Sequence, residues 1–258
     1  GLTDPHPPYR VEQKYVDHIE TSNLPPRKRN IQASDQKPSM ENGLFHTLGV
    51  KDWGEERFDQ LRTLYLGMCA KVDEQVGWIV EALKEEGIYD DTAIFIFSDH
   101  GDYTGDYGLV EKSQNTFPDC LTNVPFIVKP PKGEVIDSGV NDNLVELVDF
   151  YATAMSYAKI SPKRTHFGKN LQDTMADKTK EHRKYVFCEG GRVPEEEHCD
   201  EYHGENGQAA VENSEYWPKQ VSQKEDLAHA KGIMIRDQRY KYISRTMGCD
   251  ELYDLKED

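Results

Sequence analysis

The chain has 258 residues, enough to bury a sizeable core in one large or two small domains. Its net charge of −16 argues against nucleic acid and membrane surfaces as partners, because both require basic patches. Mean hydropathy is −0.79, which assigns much of the surface to loops and charge, and no stretch approaches the roughly 18 apolar residues of a membrane span.

Residues 1–50 read as a long irregular segment, because Pro5, Pro7, Pro8, Pro25, Pro26 and Pro38 interrupt any regular element. The basic run Arg27-Lys28-Arg29 within it reads as a solvated loop or as a loop facing substrate. A helix is predicted from about Glu55 to Glu86. Leu61, Leu64, Tyr65, Met68, Cys69, Val72, Val76, Ile79, Val80 and Leu83 form one apolar stripe at helical period, with Gly87 as the stop signal. Asp90-Asp91 turns the chain into Ala93 to Phe97, an apolar run without alternation that reads as a strand buried in a parallel sheet. Helix, turn and buried strand make half of an α/β unit.

The strand stops at Ser98-Asp99-His100-Gly101. Ligands in open α/β sheets bind just beyond strand carboxyl ends, so an oxygen donor and a nitrogen donor stand side by side where chemistry is usually placed. The residues alone also fit an aspartate that caps a turn and a histidine packed on a loop. Gly101, Gly105 and Gly108 follow, then Lys112. A cation beside a lysine suits an anionic substrate whose leaving oxygen gains charge in the transition state. Asp102, Tyr103 and Asp106 are expected to support this dyad from behind.

Val124 to Val128 reads as a second short strand, with Pro125 at its start or on a sheet edge, and Leu144 to Ala158 as a helix packing on the sheet. Asn170 to Lys184 is polar and expected to cap the domain. Beyond it, Tyr185–Glu189, Ile233–Arg236, Tyr240–Arg245 and Leu252–Leu255 read as strands of a small antiparallel sheet, with a hairpin at Asp237-Gln238. Residues 190–231 are acidic and lack apolar periodicity. Their run Glu195 to His203 meets no metal-ligand spacing, and charge runs are usually solvated, so the stretch reads as an insertion that lines a substrate cleft. The five cysteines, Cys69, Cys120, Cys188, Cys199 and Cys249, have no tight spacing and point to mostly reduced thiols.

Ser98-Asp99-His100-Gly101 with its glycine-rich loop and Lys112 resembles the second metal-binding motif of the sulfatases, in the alkaline phosphatase superfamily. Asp4-Pro5-His6-Pro7-Pro8-Tyr9 resembles the segment that supplies a sulfatase active-site histidine. Arg239 to Ile243, followed by Glu251 to Leu255, resembles the family's carboxyl-terminal signature. The three matches stand in family order.

The resemblance implies an α/β fold. Residues 1–184 would contribute part of an alkaline-phosphatase-like, mostly parallel sheet flanked by helices. Residues 185–258 would form a small subdomain with a four-stranded antiparallel sheet and an acidic insertion over 190–231. It further implies Asp99 and His100 as ligands of one divalent metal ion, calcium first, with manganese or zinc open. Lys112 would bind sulfate and His6 would act as acid to the leaving group; apart from the resemblance, Arg192 and His203 are candidates to face substrate.

The family's nucleophile is a formylglycine made within Cys/Ser-x-Pro-x-Arg, and no such motif occurs here. The chain is therefore expected to be the carboxyl-terminal portion of a longer protein, inactive alone, with an amino-terminal half as partner. Its substrate would be a small-molecule or carbohydrate sulfate ester. The rival readings are a phosphodiesterase or phosphonate monoester hydrolase of the same superfamily, and a noncatalytic module that binds sulfated glycans.

Overall fold

The computed structural model of the chain describes residues 1–37, 40, 44–45, 50–193, 195–196 and 226–257. The amino-terminal segment is irregular, as its prolines require. It holds one turn of helix, α1 (Gln13–Val16), and two short 3₁₀ turns at Thr21–Asn23 and Ala33–Asp35. It is nonetheless anchored. Tyr15 and Ile31 are buried, and the Tyr15 hydroxyl donates to Glu74 of the following helix. Arg27 is not solvated: its guanidinium lies 4.3 Å from the Phe58 ring centroid, donates to the Gly105 carbonyl at 3.1 Å and pairs with Glu55.

Helix α2 (Glu55–Glu85) spans 31 residues. Glu55 and Glu56 in its first turn and Lys84 in its last complement the helix dipole. Gly87 ends it with φ +69° and an amide bond to the Lys84 carbonyl at 3.0 Å. Only the amino-terminal part of the predicted stripe is deeply covered. Leu61 and Met68 are buried and Cys69 is half-buried, whereas Ile79 is exposed; outside the stripe, Phe58 is buried and Trp78 exposed.

The next turn leads into β1 (Ile94–Phe97). After a long loop that contains one turn of helix, α3 (Asp119–Thr122), β2 (Phe126–Lys129) returns beside β1. The two strands pair antiparallel, Ile94 opposite Lys129 and Phe97 opposite Phe126. This differs from the parallel neighbour expected of β1. An apolar run reports two apolar faces but not strand direction, and no crossover helix of the length a parallel return needs lies between them. Helix α4 (Val148–Tyr157) covers one face, with the Phe150 ring 5.0 Å from Phe95 and 5.1 Å from Phe97. The Lys129 ammonium closes the turn before β1 by donating to the carbonyls of Asp90 and Thr92 at 3.1 and 3.0 Å.

Below α4 lies a buried ionic hub. Asp149 is fully buried and accepts the Lys169 and Glu146 amides at 2.7 and 2.9 Å. It also accepts Arg183 Nε at 2.9 Å and contacts His182 Nε2 at 3.0 Å. The hub fastens α4 to the segment that holds α5 (Gln172–Ala176) and leads to the last sheet.

That sheet has the order β3 (Val186–Gly190), β4 (Gly232–Arg236), β5 (Tyr240–Arg245), β6 (Glu251–Asp254), antiparallel throughout, with α6 (Asp226–His229) before β4. The Asp237 carboxylate forms the expected hairpin by accepting the Arg239 and Tyr240 amides at 2.7 and 2.6 Å. Phe117, Met234 and Ile243 form its core. Gly190 permits the sheet to press on the Lys112 loop, since a Cβ there would lie 1.7 Å from the Gln114 carbonyl oxygen. Fully buried Asn115 donates to the Leu227 and Ala230 carbonyls at 3.1 Å each, which stitches loop to sheet.

Asp149→Asn should lower unfolding free energy by about 3–5 kcal/mol in urea titrations, because it strands a buried guanidinium. The hydrogen bonds hold the Asp149 carboxyl well below the usual carboxylate range, against the opposing pull of burial. Its stabilisation is therefore complete above the unfolded value of about 3.9 and is lost as pH falls toward the depressed folded value. The variant should lack that acid-side slope, and an unchanged slope between pH 5 and 3 would remove Asp149 as its source.

Candidate active site

Three separate segments meet at the carboxyl end of β1. The first is the turn at residues 3–9, where the His6 amide bonds to the Thr3 carbonyl at 2.9 Å. The second is Ser98 to Asp102, and the third is the stretch around Lys112. Lys112 Nζ lies 2.7 Å from His6 Nε2, and the His6 and His100 rings stand edge to face with centroids 6.2 Å apart. Four of the six residues expected to bear function, His6, Asp99, His100 and Lys112, thus come from one locality.

Hydrogen bonds fix which nitrogen of each ring carries a proton. His6 Nδ1 is 2.7 Å from the Pro7 carbonyl oxygen and must carry a proton to bond it. Its Nε2 then offers a lone pair, which the Lys112 ammonium donates to. His100 Nδ1 is 2.8 Å from the Gly101 carbonyl oxygen and is likewise the protonated nitrogen. Its Nε2 is left with a lone pair 3.9 Å from Asp99 Oδ1. Two ligands each about 2.4 Å from a shared ion can stand up to about 4.8 Å apart, so one carboxylate and one imidazole at this separation fit a divalent cation. An imidazole whose other nitrogen donates to a carbonyl is the usual form of a metal ligand. Among the described residues, no three histidine, cysteine, aspartate or glutamate groups cluster to hold a metal by themselves.

A single hydroxyl ties the three segments together. Tyr9, three residues after His6, donates to Asp102 Oδ2 at 2.8 Å and accepts the amide of Glu111, the neighbour of Lys112, at 2.9 Å. Asp102 Oδ1 also accepts the Thr104 amide at 2.8 Å. Burial pushes the Asp102 carboxyl up to about 6, and burial with the Asp102 charge pushes the Tyr9 phenol well above its usual range. Gly101 is required for a different reason: a Cβ there would sit 1.9 Å from the Cys120 carbonyl oxygen. Its amide bonds to Leu121 at 2.9 Å and that of Asp102 to Cys120 at 3.1 Å, so the site loop lies flat on α3. Burial raises the thiols of Cys69 and Cys120 to about 11 and about 12, away from nucleophilic use at neutral pH.

The other expected residues fall elsewhere. Tyr103 is a core residue, fully buried, with its hydroxyl 2.6 Å from Thr116 Oγ1. Asp106 accepts the Lys28 amide at 2.8 Å. Arg192 is 8% exposed, and its backbone is bonded to the His229 carbonyl and the Lys231 amide at the foot of the last sheet. His203 and most of the Glu195–His203 run lie outside the described residues. Tyr9 was not singled out from sequence, although its spacing of three from His6 placed it on the same turn.

An α/β scaffold thus gathers histidine, lysine and carboxylate at one strand end. Comparison with known proteins gives the family: the Sulfatase family model matches residues 2–160, and the chain belongs to that family. It is 26% identical to the choline-sulfatase of Rhizobium meliloti over its whole length, covering 44% of that protein. It is 25% identical to the multifunctional alkaline phosphatase superfamily protein PehA of Trinickia caryophylli, over 69% of this chain and 37% of the relative. The chain thus spans less than half the length of the curated relatives it matches. Among solved structures, the phosphonate monoester hydrolase of Agrobacterium radiobacter superposes with a TM-score of 0.76 at 25% identity, over 99% of this chain and 49% of the other.

Tyr9→Phe should cost about 1–3 kcal/mol in urea unfolding, because it leaves a buried carboxylate and an amide short of a partner. A double-mutant cycle with Asp102→Asn should show strong coupling between the two. Additive losses would mean that the hydroxyl does not join the segments.

Proposed function

We propose that the chain is the carboxyl-terminal part of a sulfatase-type hydrolase, which cleaves a small-molecule or carbohydrate sulfate ester to an alcohol and sulfate. The observation that carries the reading is the 2.7 Å contact between Lys112 Nζ and His6 Nε2 beside the His100 ring. The proton between those two nitrogens is available to an alkoxide that departs into the same crevice. Lys112 supplies the positive charge that attracts the sulfuryl oxygens; its ammonium passes a proton to the His6 Nε2 lone pair, that proton goes on to the departing alkoxide, and the Lys112 amine then recovers a proton from water. The turn at residues 3–9 positions His6 for this role through Tyr9 and Asp102.

Asp99 and His100 would hold a divalent cation, calcium first by family habit, together with ligands from outside the described residues. When bound, it supplies Lewis-acid polarisation of the ester oxygens. The nucleophile, a formylglycine in the family, would come from an amino-terminal half of the same protein. Two facts favour that partner: the relatives are more than twice as long as the matched span, and no Cys/Ser-x-Pro-x-Arg motif occurs in this sequence. A second reading, hydrolysis of phosphonate monoesters or phosphodiesters on the same groups, draws support from the likeness to the Agrobacterium enzyme.

The chain produced together with its amino-terminal half should hydrolyse an aryl sulfate. His6→Gln and Lys112→Met should each lower kcat/KM by about 10²–10⁴ while the thermal melt stays in place. Asp99→Asn should reduce the divalent metal retained per chain, read by elemental analysis. Wild-type rates in both His6 and Lys112 variants would refute the assignment. Faster turnover of a phenyl phosphonate ester than of the aryl sulfate would establish the second reading.

A further inference from the structure

One cleft among the described residues lies away from the candidate active site. It lies between the irregular amino-terminal segment, the loop before α3 and the last sheet, and encloses about 650 Å³. None of His6, Asp99, His100 or Lys112 lines it. Lys28, Arg29, Lys37, Arg236, Lys241 and Arg245 do, against three carboxylates, Asp35, Asp119 and Glu251. A chain with a net charge of −16 has gathered an excess of positive charge in one concavity.

The pairing within the cleft leaves that excess uncompensated. Asp119 is shared, accepting Arg236 Nη1 at 2.9 Å and Lys241 Nζ at 2.9 Å. Glu251 is shared as well, by Arg245 Nε at 2.6 Å and Lys37 Nζ at 3.8 Å. Asp35 serves Arg29 at 2.6 Å. Lys241 is 6% exposed, so its charge is held out of water. Arg236 Nε is a buried donor with no acceptor among the described residues. Burial first, and the like charges of Lys241 and Arg245, pull the Lys37 ammonium below the usual lysine range, against the opposite pull of Glu251 and Asp35. Cations held together and partly desolvated favour a bound anion, because low local dielectric strengthens the attraction. Tyr107, Phe117 and Tyr253 line the same walls and offer apolar ring surface beside the charges.

We infer that this cleft is a second oxyanion site, separate from the hydrolytic centre, which takes the sulfate or phosphate group of a small polar molecule about the size of a monosaccharide. The inference goes beyond the proposed reaction and stands whether or not that reaction is correct. Lys37 and Arg29 on the amino-terminal side would close on the anion against Arg236 and Lys241 from the sheet. The cleft therefore reads both ends of the chain at once.

Isothermal titration of the 258-residue chain tests it, with sodium sulfate, sodium phosphate, glucosamine 6-sulfate and glucosamine as probes. Saturable binding of glucosamine 6-sulfate is expected, with glucosamine silent. The inorganic ions distinguish whether the oxyanion suffices or the sugar is needed. Lys37→Met should weaken binding about tenfold, the loss of one charge-assisted contact. Should that variant melt early, the exposed pair Lys28→Gln with Arg29→Gln gives the same readout with little burden on folding. His6→Ala should leave the affinity unchanged. The proposal is overturned if no anionic probe saturates below about 10 mM, a floor of weak binding. It is equally overturned if the cleft variants bind like wild type, or if His6→Ala abolishes binding while Lys37→Met does not.

Discussion

The phenolic oxygen of Tyr9 is the point on which the candidate site depends. It is bonded to the carboxylate of Asp102 and to the amide of Glu111, and it is three residues from His6. Tyr9 and its two partners belong to the three segments that carry the candidate groups: the amino-terminal turn, the loop after β1 and the stretch that ends at Lys112. None of these segments is a regular element with an internal ladder to hold it. Their mutual position is set by side-chain bonds, by the close backbone contact at Gly101 and by main-chain bonds such as that from the Tyr103 amide to the Glu111 carbonyl at 2.8 Å. A buried, satisfied polar network of this kind is rigid because breaking any member leaves another unpaired in a poor solvent.

The same device recurs at larger scale. Asp149 joins α4 to the segment leading into the last sheet, and Asn115 joins the Lys112 loop to the chain before β4. Asp119 gathers Arg236 and Lys241 from two adjacent strands. Apolar cores are small and separate: one surrounds Tyr103, Leu109 and Leu121, and another Phe117, Met234 and Ile243. With 36% hydrophobic residues, the chain relies on ionic and amide stitches to set the register between these cores. That arrangement suits a protein whose loops hold functional groups, since such stitches specify geometry more narrowly than apolar contact does.

Much of the element order was legible in the sequence. Helix α2 followed from a 3.6-residue period and a glycine stop, and the closing hairpin from Asp237-Gln238. The motif around Asp99, His100 and Lys112 was legible because its residues lie close along the chain. The antiparallel return of β2 was not, because an unbroken apolar run says nothing of direction. Nor was the exposed end of α2, since periodicity shows which face is apolar but not what covers it. Tyr9 and Asp102 are 93 positions apart, and the basic cleft draws on residues from 28 to 255, so neither leaves a local pattern to read.

The two site imidazoles share one habit: each commits Nδ1 to the main-chain oxygen of a neighbour, Pro7 for one and Gly101 for the other. The backbone has thus chosen the tautomer before any ligand arrives. In a nitrogen-15 spectrum of labelled chain, the neutral form of each of these two rings would give a pyrrole-like Nδ1 signal and a pyridine-like Nε2 signal. The readiness of the locality is visible as chemical shift in the chain alone, without turnover and without a partner.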